Sequence, residues 1–331
     1  MDLPSLSALV VLFSLTMYSL LDGFDLGVGV LVLFGRAGDR DCMVRSLSPT
    51  WDGNETWLIM AGVALLGLFP VAYGVLLPAL YLPLVTMLLA LGFRGVAFEF
   101  RVQPGARRAW WDRAFGIGSL VAALCQGLVA GALIEGVSVS GHAFSGSVLD
   151  VLRPFPLLMA VTLVSGYMAL GGGWLYLKTD GLLQRHFARK ALTCSVFAFA
   201  ALGMLAIAGA AVTQSALQDD WRQHGLRHAA VVLLFYGALY AAVSAARSGS
   251  ERAPLLWCGA AFVLALTGFA AAVWPDVVPF RISAELASSP ARSQALLLWG
   301  FAVVAPMVLV YSALGYRVFR GKTPLVAEDE S

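Results

Sequence analysis

The chain has 331 residues, of which 59% are hydrophobic and only 13% charged, with a formal net charge of +2. Soluble domains carry about 25% charged residues, so this composition, with a mean hydropathy of +0.80, excludes an ordinary globular protein and describes a chain that crosses a membrane many times. Near-neutral charge, with basic residues scattered through loops, leaves no footprint for a nucleic-acid partner.

A membrane span takes about 20 mainly apolar residues. Nine segments qualify, at 6–34, 50–71, 76–100, 114–137, 155–177, 191–213, 228–246, 254–274 and 294–316. The expected fold is therefore all-α: a single polytopic membrane domain over residues 1–331 with nine transmembrane helices. The opening stretch, MDLPSLSAL, has no Lys or Arg and so lacks the basic start of a cleavable signal peptide. In the first segment, Gly23, Gly27 and Gly29 include a small-xxx-small spacing that lets helices approach closely. Ser48 followed by Pro49 reads as the start of the second helix, a cap residue with proline in the first turn. Trp51 and Trp57 fit an interfacial belt. An uncharged turn near Tyr73–Pro78 is expected to join the second and third helices. The longest outer loops, near 138–154, 214–227 and 275–293, are short, and the final VAEDES reads as a solvated end.

Lys and Arg set the orientation of such a chain. One set of loops holds sixteen of them: Arg36, Arg40, Arg45, Arg101, Arg107, Arg108, Arg113, Lys178, Arg185, Arg189, Lys190, Arg247, Arg252, Arg317, Arg320 and Lys322. The opposite loops hold five: Arg153, Arg222, Arg227, Arg281 and Arg292. The bias puts the N-terminus on the periplasmic side and the C-terminus in the cytoplasm, which requires an odd number of spans, as nine is. The expected location is the bacterial inner membrane.

Charge inside the spans is concentrated at one end. Asp22 and Asp25 lie in the first segment, where a carboxylate at mid-membrane costs roughly 2.5–3.5 kcal/mol on insertion scales. Three residues apart, they share one helix face. Asp52 and Glu55 open the second helix, where the helix dipole alone stabilises acids. Arg94 and Glu99 fall in the last turns of the third. All six sit in the cytoplasmic half under this topology. Glu99 with Arg101 reads equally as an ordinary interfacial helix end, and Glu135, near the outer end of the fourth helix, as an interfacial residue. Arg94 is the expected structural ion-pair partner of the Asp22–Asp25 pair. An aspartate left over from that pairing would be protonated, solvated or bound elsewhere, which suits proton handling. The expected proton-transfer residues are Asp52, Asp25, Asp22, Glu55 and Glu99.

Four histidines, His142, His186, His224 and His228, fall in predicted loops or at the outer end of the seventh helix. A haem between helices usually needs His or Met ligands, so no haem is expected in this chain. Cys42 in a loop, and Cys125, Cys194 and Cys258 in apolar segments, match no metal or disulfide spacing. Metal-binding, cofactor-binding and catalytic residues are accordingly expected to be absent.

The chain resembles subunit II of bd-type quinol oxidases, closest to the shorter versions found in cyanide-insensitive oxidases. The motifs that carry the resemblance are DGFDLGVGVL at 22–31, WDGNETWL at 51–58, FRGVAFEFR at 93–101, WDRAF at 111–115, GALIEGV at 131–137 and RPF at 153–155. The resemblance implies a complex of the aerobic respiratory chain that oxidises ubiquinol or menaquinol and reduces dioxygen to water. Quinol protons leave outside and chemical protons enter from the cytoplasm. It implies that two haems b, one haem d and the quinol site belong to a haem-bearing subunit I. Subunit II would pack against subunit I and contribute to a cytoplasmic proton path. A bound quinone or lipid occurs in some members, and a small single-helix third subunit stands as a further candidate partner. The resemblance associates Asp52 with the proton path, places Asp22 and Asp25 in the D-G-F-D motif, and matches Arg94 and Glu99 to the third motif. Some members carry glutamine at the position of Glu55. The alternative functional classes are a proton-coupled secondary transporter, which also uses intramembrane acids, and a purely structural subunit.

Overall fold

The computed structural model describes residues 2–101 and 108–324. Its helices are α1 (Leu3–Val32), α2 (Ala37–Arg45), α3 (Trp51–Leu68), α4 (Pro70–Ala79), α5 (Tyr81–Phe100), α6 (Arg108–Glu135), α7 (Pro154–Lys178), α8 (Arg189–Thr213), α9 (Ser215–Arg247), α10 (Ala253–Val273), α11 (Ala284–Ala287) and α12 (Ala291–Val318). A π-helical turn, Leu183–Ala188, leads into α8. Two small antiparallel hairpins, β1 (Val139–Ser140) with β2 (Ala143–Phe144) and β3 (Asp276–Val278) with β4 (Ile282–Ser283), decorate one end. Arg107 and the segment VAEDES lie outside the described residues.

Among the described residues eight helices are long and apolar enough to cross a membrane: α1, α5, α6, α7, α8 with its preceding turn, α9, α10 and α12. The expected second and third helices are cut differently from the reading above. Pro70 has no N–H to donate, so the helix that begins at Trp51 stops at Leu68 and a separate helix, α4, starts at Pro70. The turn expected at Tyr73–Pro78 is therefore helical. The expected start at Ser48–Pro49 also moves, to Thr50 as cap and Trp51 as first helical residue, with no side-chain cap bond.

Two further loops prove helical. Cys42 lies in α2, buried, with its thiol donating to the Thr323 carbonyl at 3.4 Å. Burial pushes that thiol up to about 11. Residues 215–227 were too polar to qualify as a span, yet they form the first part of α9. The Asp220 carboxylate there accepts from ring nitrogens of His224 at 2.8 Å and His228 at 2.5 Å, and from Arg227 at 2.7 Å. The backbone leaves helical geometry at His224, which marks a kink.

The main core gathers around the second half of α1, whose residues Asp22 to Val32 are all buried. Phe24, Phe115, Tyr167, Trp174, Phe199, Phe235 and Phe262 pack there from α1, α6, α7, α8, α9 and α10. A second core joins Ala72, Val75 and Ala79 of α4 to Val278, Ile282 and Ala287 at the hairpin end. The close approach anticipated for the α1 glycines is real. A Cβ on Gly27 would stand 1.7 Å from the Tyr167 carbonyl oxygen, and one on Gly171 would stand 2.4 Å from the Val28 nitrogen. Only hydrogen at both positions lets α1 and α7 touch backbone to backbone.

Candidate functional site

Three helices bring the intramembrane charges together. Asp22 and Asp25 are one turn apart on α1, Asn54 and Glu55 lie in the first turns of α3, and Arg94 is six residues from the end of α5. Arg94 and Asp22 are both 0% exposed. The Arg94 Nη1 atom donates to Asp22 Oδ1 at 3.0 Å and to Glu55 Oε1 at 3.0 Å. Its guanidinium also lies over the Phe115 ring, 5.6 Å from the centroid, an arrangement that favours a desolvated cation. Gly118 of α6 abuts the same residue, where an added Cβ would come 3.3 Å from Arg94 Cβ.

Arg94 pairs with one aspartate of the two, and Asp25 is the one left over. Asp25 does not bond Arg94; its Oδ2 accepts from Asn54 Nδ2 at 2.7 Å. The Asn54 side chain is fixed in turn by the Tyr316 hydroxyl of α12, which donates to Asn54 Oδ1 at 2.8 Å. Asp22 Oδ2, Asp25 Oδ1 and Arg94 Nε and Nη2 are buried without a hydrogen-bond partner among the described residues. The cluster thus has one guanidinium, three carboxyls and unused hydrogen-bonding capacity on both signs of charge.

The remaining expected site residues lie apart. Asp52, in the first turn of α3, and Glu99, near the end of α5, are exposed and stand outside this hydrogen-bonded cluster. Glu55 is intermediate, with its side chain 26% exposed while its carboxylate holds Arg94. Since Asp52 and Glu55 are three residues apart on α3, they are neighbours on its surface. Glu99 does not pair with Arg101. Arg101 is buried and bonds Asp112 of α6 at 2.7 Å and Asp41 of α2 at 3.2 Å. Asp41 also receives Arg45 at 3.1 Å, and Arg108, so one carboxylate ties together α2, the end of α5 and the start of α6. Glu135 meets Arg153 at 3.7 Å. Trp57 belongs to no interfacial belt of this chain: it is fully buried, edge-on to Phe13, while Trp51 leans on Phe98.

Sequence reasoning missed Asn54 and Tyr316 as site residues. It also missed the chain in which Tyr167 donates to Gln126 at 2.6 Å and Gln126 donates to Tyr18 at 2.7 Å. Asn54 was visible only as the residue before Glu55 in the WDGNETWL motif. Tyr18 offered a weak signal, one turn before Asp22. Among the described residues no group of three or more His, Cys, Asp or Glu side chains is placed to hold a metal ion.

The fold and site define a polytopic all-α membrane protein with a charged cluster sealed among its first long helices. The family model for cytochrome bd terminal oxidase subunit II matches residues 3–319, and the chain belongs to that family. It is 34% identical over 201 residues to the cytochrome bd-I ubiquinol oxidase subunit 2 of Escherichia coli (strain K12), covering 58% of this chain and 52% of that one. It is also 34% identical over 194 residues to the cytochrome bd ubiquinol oxidase subunit 2 of Bacillus subtilis (strain 168), covering 55% and 57%. The chain thus spans about half the length of the curated relatives it matches. Among solved structures, a chain of the bd oxidase from Geobacillus thermodenitrificans has the same fold, with a TM-score of 0.68 and 13% identity over 96% of this chain and 98% of that one.

Proposed function

We propose that the chain acts as subunit II of a quinol:dioxygen oxidoreductase in a bacterial inner membrane, beside a haem-bearing subunit I, and that its acids feed protons from the cytoplasmic side toward that partner. In this reading α3 completes a ninth crossing, the N-terminus is periplasmic and the C-terminus cytoplasmic. The haems b and d reside in the partner.

The observation that carries the reading is Glu55. Its side chain is 26% exposed while its carboxylate holds Arg94 of the buried Arg94–Asp22 pair. Exposed Asp52 sits one turn before it, so acids line up from the surface inward as Asp52, Glu55 and Asp22. Asp25 extends the set through Asn54. One guanidinium cannot balance three carboxyls, so the cluster holds a surplus of acid over its one cation. A cluster with that surplus can take up one proton and pass it on, and its unused donors and acceptors suit a hydrated path. Glu99 stands on the same end as a second surface acid.

The test is quinol-driven oxygen consumption by the purified complex carrying Asp52→Asn or Glu55→Gln. Turnover is expected to fall severalfold or more in each, with haem absorption spectra and subunit stoichiometry unchanged. Wild-type turnover in both variants would overturn the proton-entry role. A haem-free chain that moves a solute coupled to protons on its own would favour the transporter class.

A further inference from the structure

Residues 319–324 follow α12 as an irregular strap that lies back over the ends of α2 and α7. The Thr323 amide donates to the Lys178 carbonyl at 2.7 Å. Lys178 Nζ donates to the Phe319 carbonyl at 2.6 Å, and Arg45 Nη2 to the Pro324 carbonyl at 2.8 Å. Lys322 anchors the strap's far side on Glu251 at 2.7 Å.

Between the strap and the two helix ends is a cavity of about 320 Å³. Four of its lining side chains are cationic, Arg45, Lys178, Arg320 and Lys322, and among the described residues none of the lining is a carboxylate. The acids that meet these cations, Asp41, Asp180 and Glu251, stand outside the lining. Lys178 and Arg320 have no carboxylate partner among the described residues, and Lys178 is held in place over the Trp174 ring at 5.2 Å. One rim of the cavity is apolar. Val318 and Phe319 are 70% and 53% exposed, and the outward face of α12 continues from them through Leu314 and Tyr311, also exposed.

A cationic recess at the end of two membrane-spanning helices, with an apolar ridge running from it along one of them, matches a molecule that is anionic at its head and hydrocarbon below. We propose that this recess binds the phosphate headgroup of an anionic phospholipid, with an acyl chain lying on the Val318–Leu314–Tyr311 face of α12. The inference rests on α7 and α12 being spans and is independent of the proton route. A net-negative headgroup is favoured over a zwitterionic one because the latter would present its own ammonium to four cations. Each Lys or Arg near an anionic lipid surface changes affinity by about fivefold.

The experiment is native mass spectrometry of the intact membrane assembly released from nanodiscs of equal phosphatidylglycerol and phosphatidylethanolamine. The wild type is expected to retain phosphatidylglycerol in clear excess, with or without millimolar inorganic phosphate. Arg320→Gln should lower that retention about fivefold, Arg320→Lys should restore it, and Arg292→Gln, at the other end of α12, should leave it unchanged. Arg320 is exposed, so the variant tests binding and not folding. Equal retention in wild type and Arg320→Gln, or no preference between the two lipids, overturns the proposal. Displacement of the lipid by inorganic phosphate also overturns it, since the recess would then be a site for a free anion.

Discussion

Two charge clusters sit at opposite ends of the bundle with inverted compositions. Around Arg94 one cation faces three carboxyls, Asp22, Glu55 and, through Asn54, Asp25. Around Asp220 one carboxylate faces Arg227, His224 and His228. Bond lengths are similar in both. The difference is water. Arg94 and Asp22 are sealed under the Phe115 ring, whereas Arg227, His224 and Asp220 reach the surface. Water screens each bond in the exposed cluster and can replace it when broken. A bond broken in the sealed cluster leaves a charge with nowhere to go. The same short contact is therefore structural ballast at one end and a condition of folding at the other.

The strongest way to break this comparison is Arg94→Met. Removing the buried cation should cost about 3–5 kcal/mol and greatly reduce the folded protein recovered from membranes. Adding Asp22→Leu should recover much of that loss, because replacing both members of a buried pair by apolar groups is often neutral. A double variant as poor as Arg94→Met alone would show that the pair is not the reason. Next in size is Asn54→Leu, which removes the one donor to Asp25 among the described residues and the acceptor of Tyr316. A buried polar group left without its partner costs about 1–3 kcal/mol, so the thermal midpoint should fall while assembly survives. The smallest effect belongs to Asp220→Asn, expected at about 1 kcal/mol or less and read as a small change in the same thermal midpoint that high salt makes smaller still. A loss there comparable to Arg94→Met would remove the distinction between sealed and wetted charge.

Much of this was legible in the order of residues. Asp22, Asp25 and Arg94 stood out because a charge in an apolar run is costly and must be matched, and matching them in space was a short step. The partners that are polar but uncharged were not legible. Asn54 sits in a helix start where polar residues are ordinary, and its hydroxyl partner, Tyr316, is 262 positions away. The split of the expected second and third helices was hidden because hydropathy does not change at Pro70; the break comes from a missing backbone donor, not from polarity. The reverse holds at 215–227, where polarity reads as a loop although helix formation needs no apolar face when side chains such as Asp220 and His224 pair along the axis. Asp52 and Glu99 were grouped with the buried acids by position along their helices. Their helix faces turn them outward, and a spacing argument that follows depth alone cannot see azimuth.

The strap at residues 319–324 has a consequence for the order of events during synthesis. Its contacts join Cys42, in the first connection of the chain, to Thr323, which is added 281 residues later. Every intervening helix must already have left the ribosome before that bond can form. Until then the ends of α2 and α7 remain unlatched, so the last clasp to close is one that records that all the preceding spans are present.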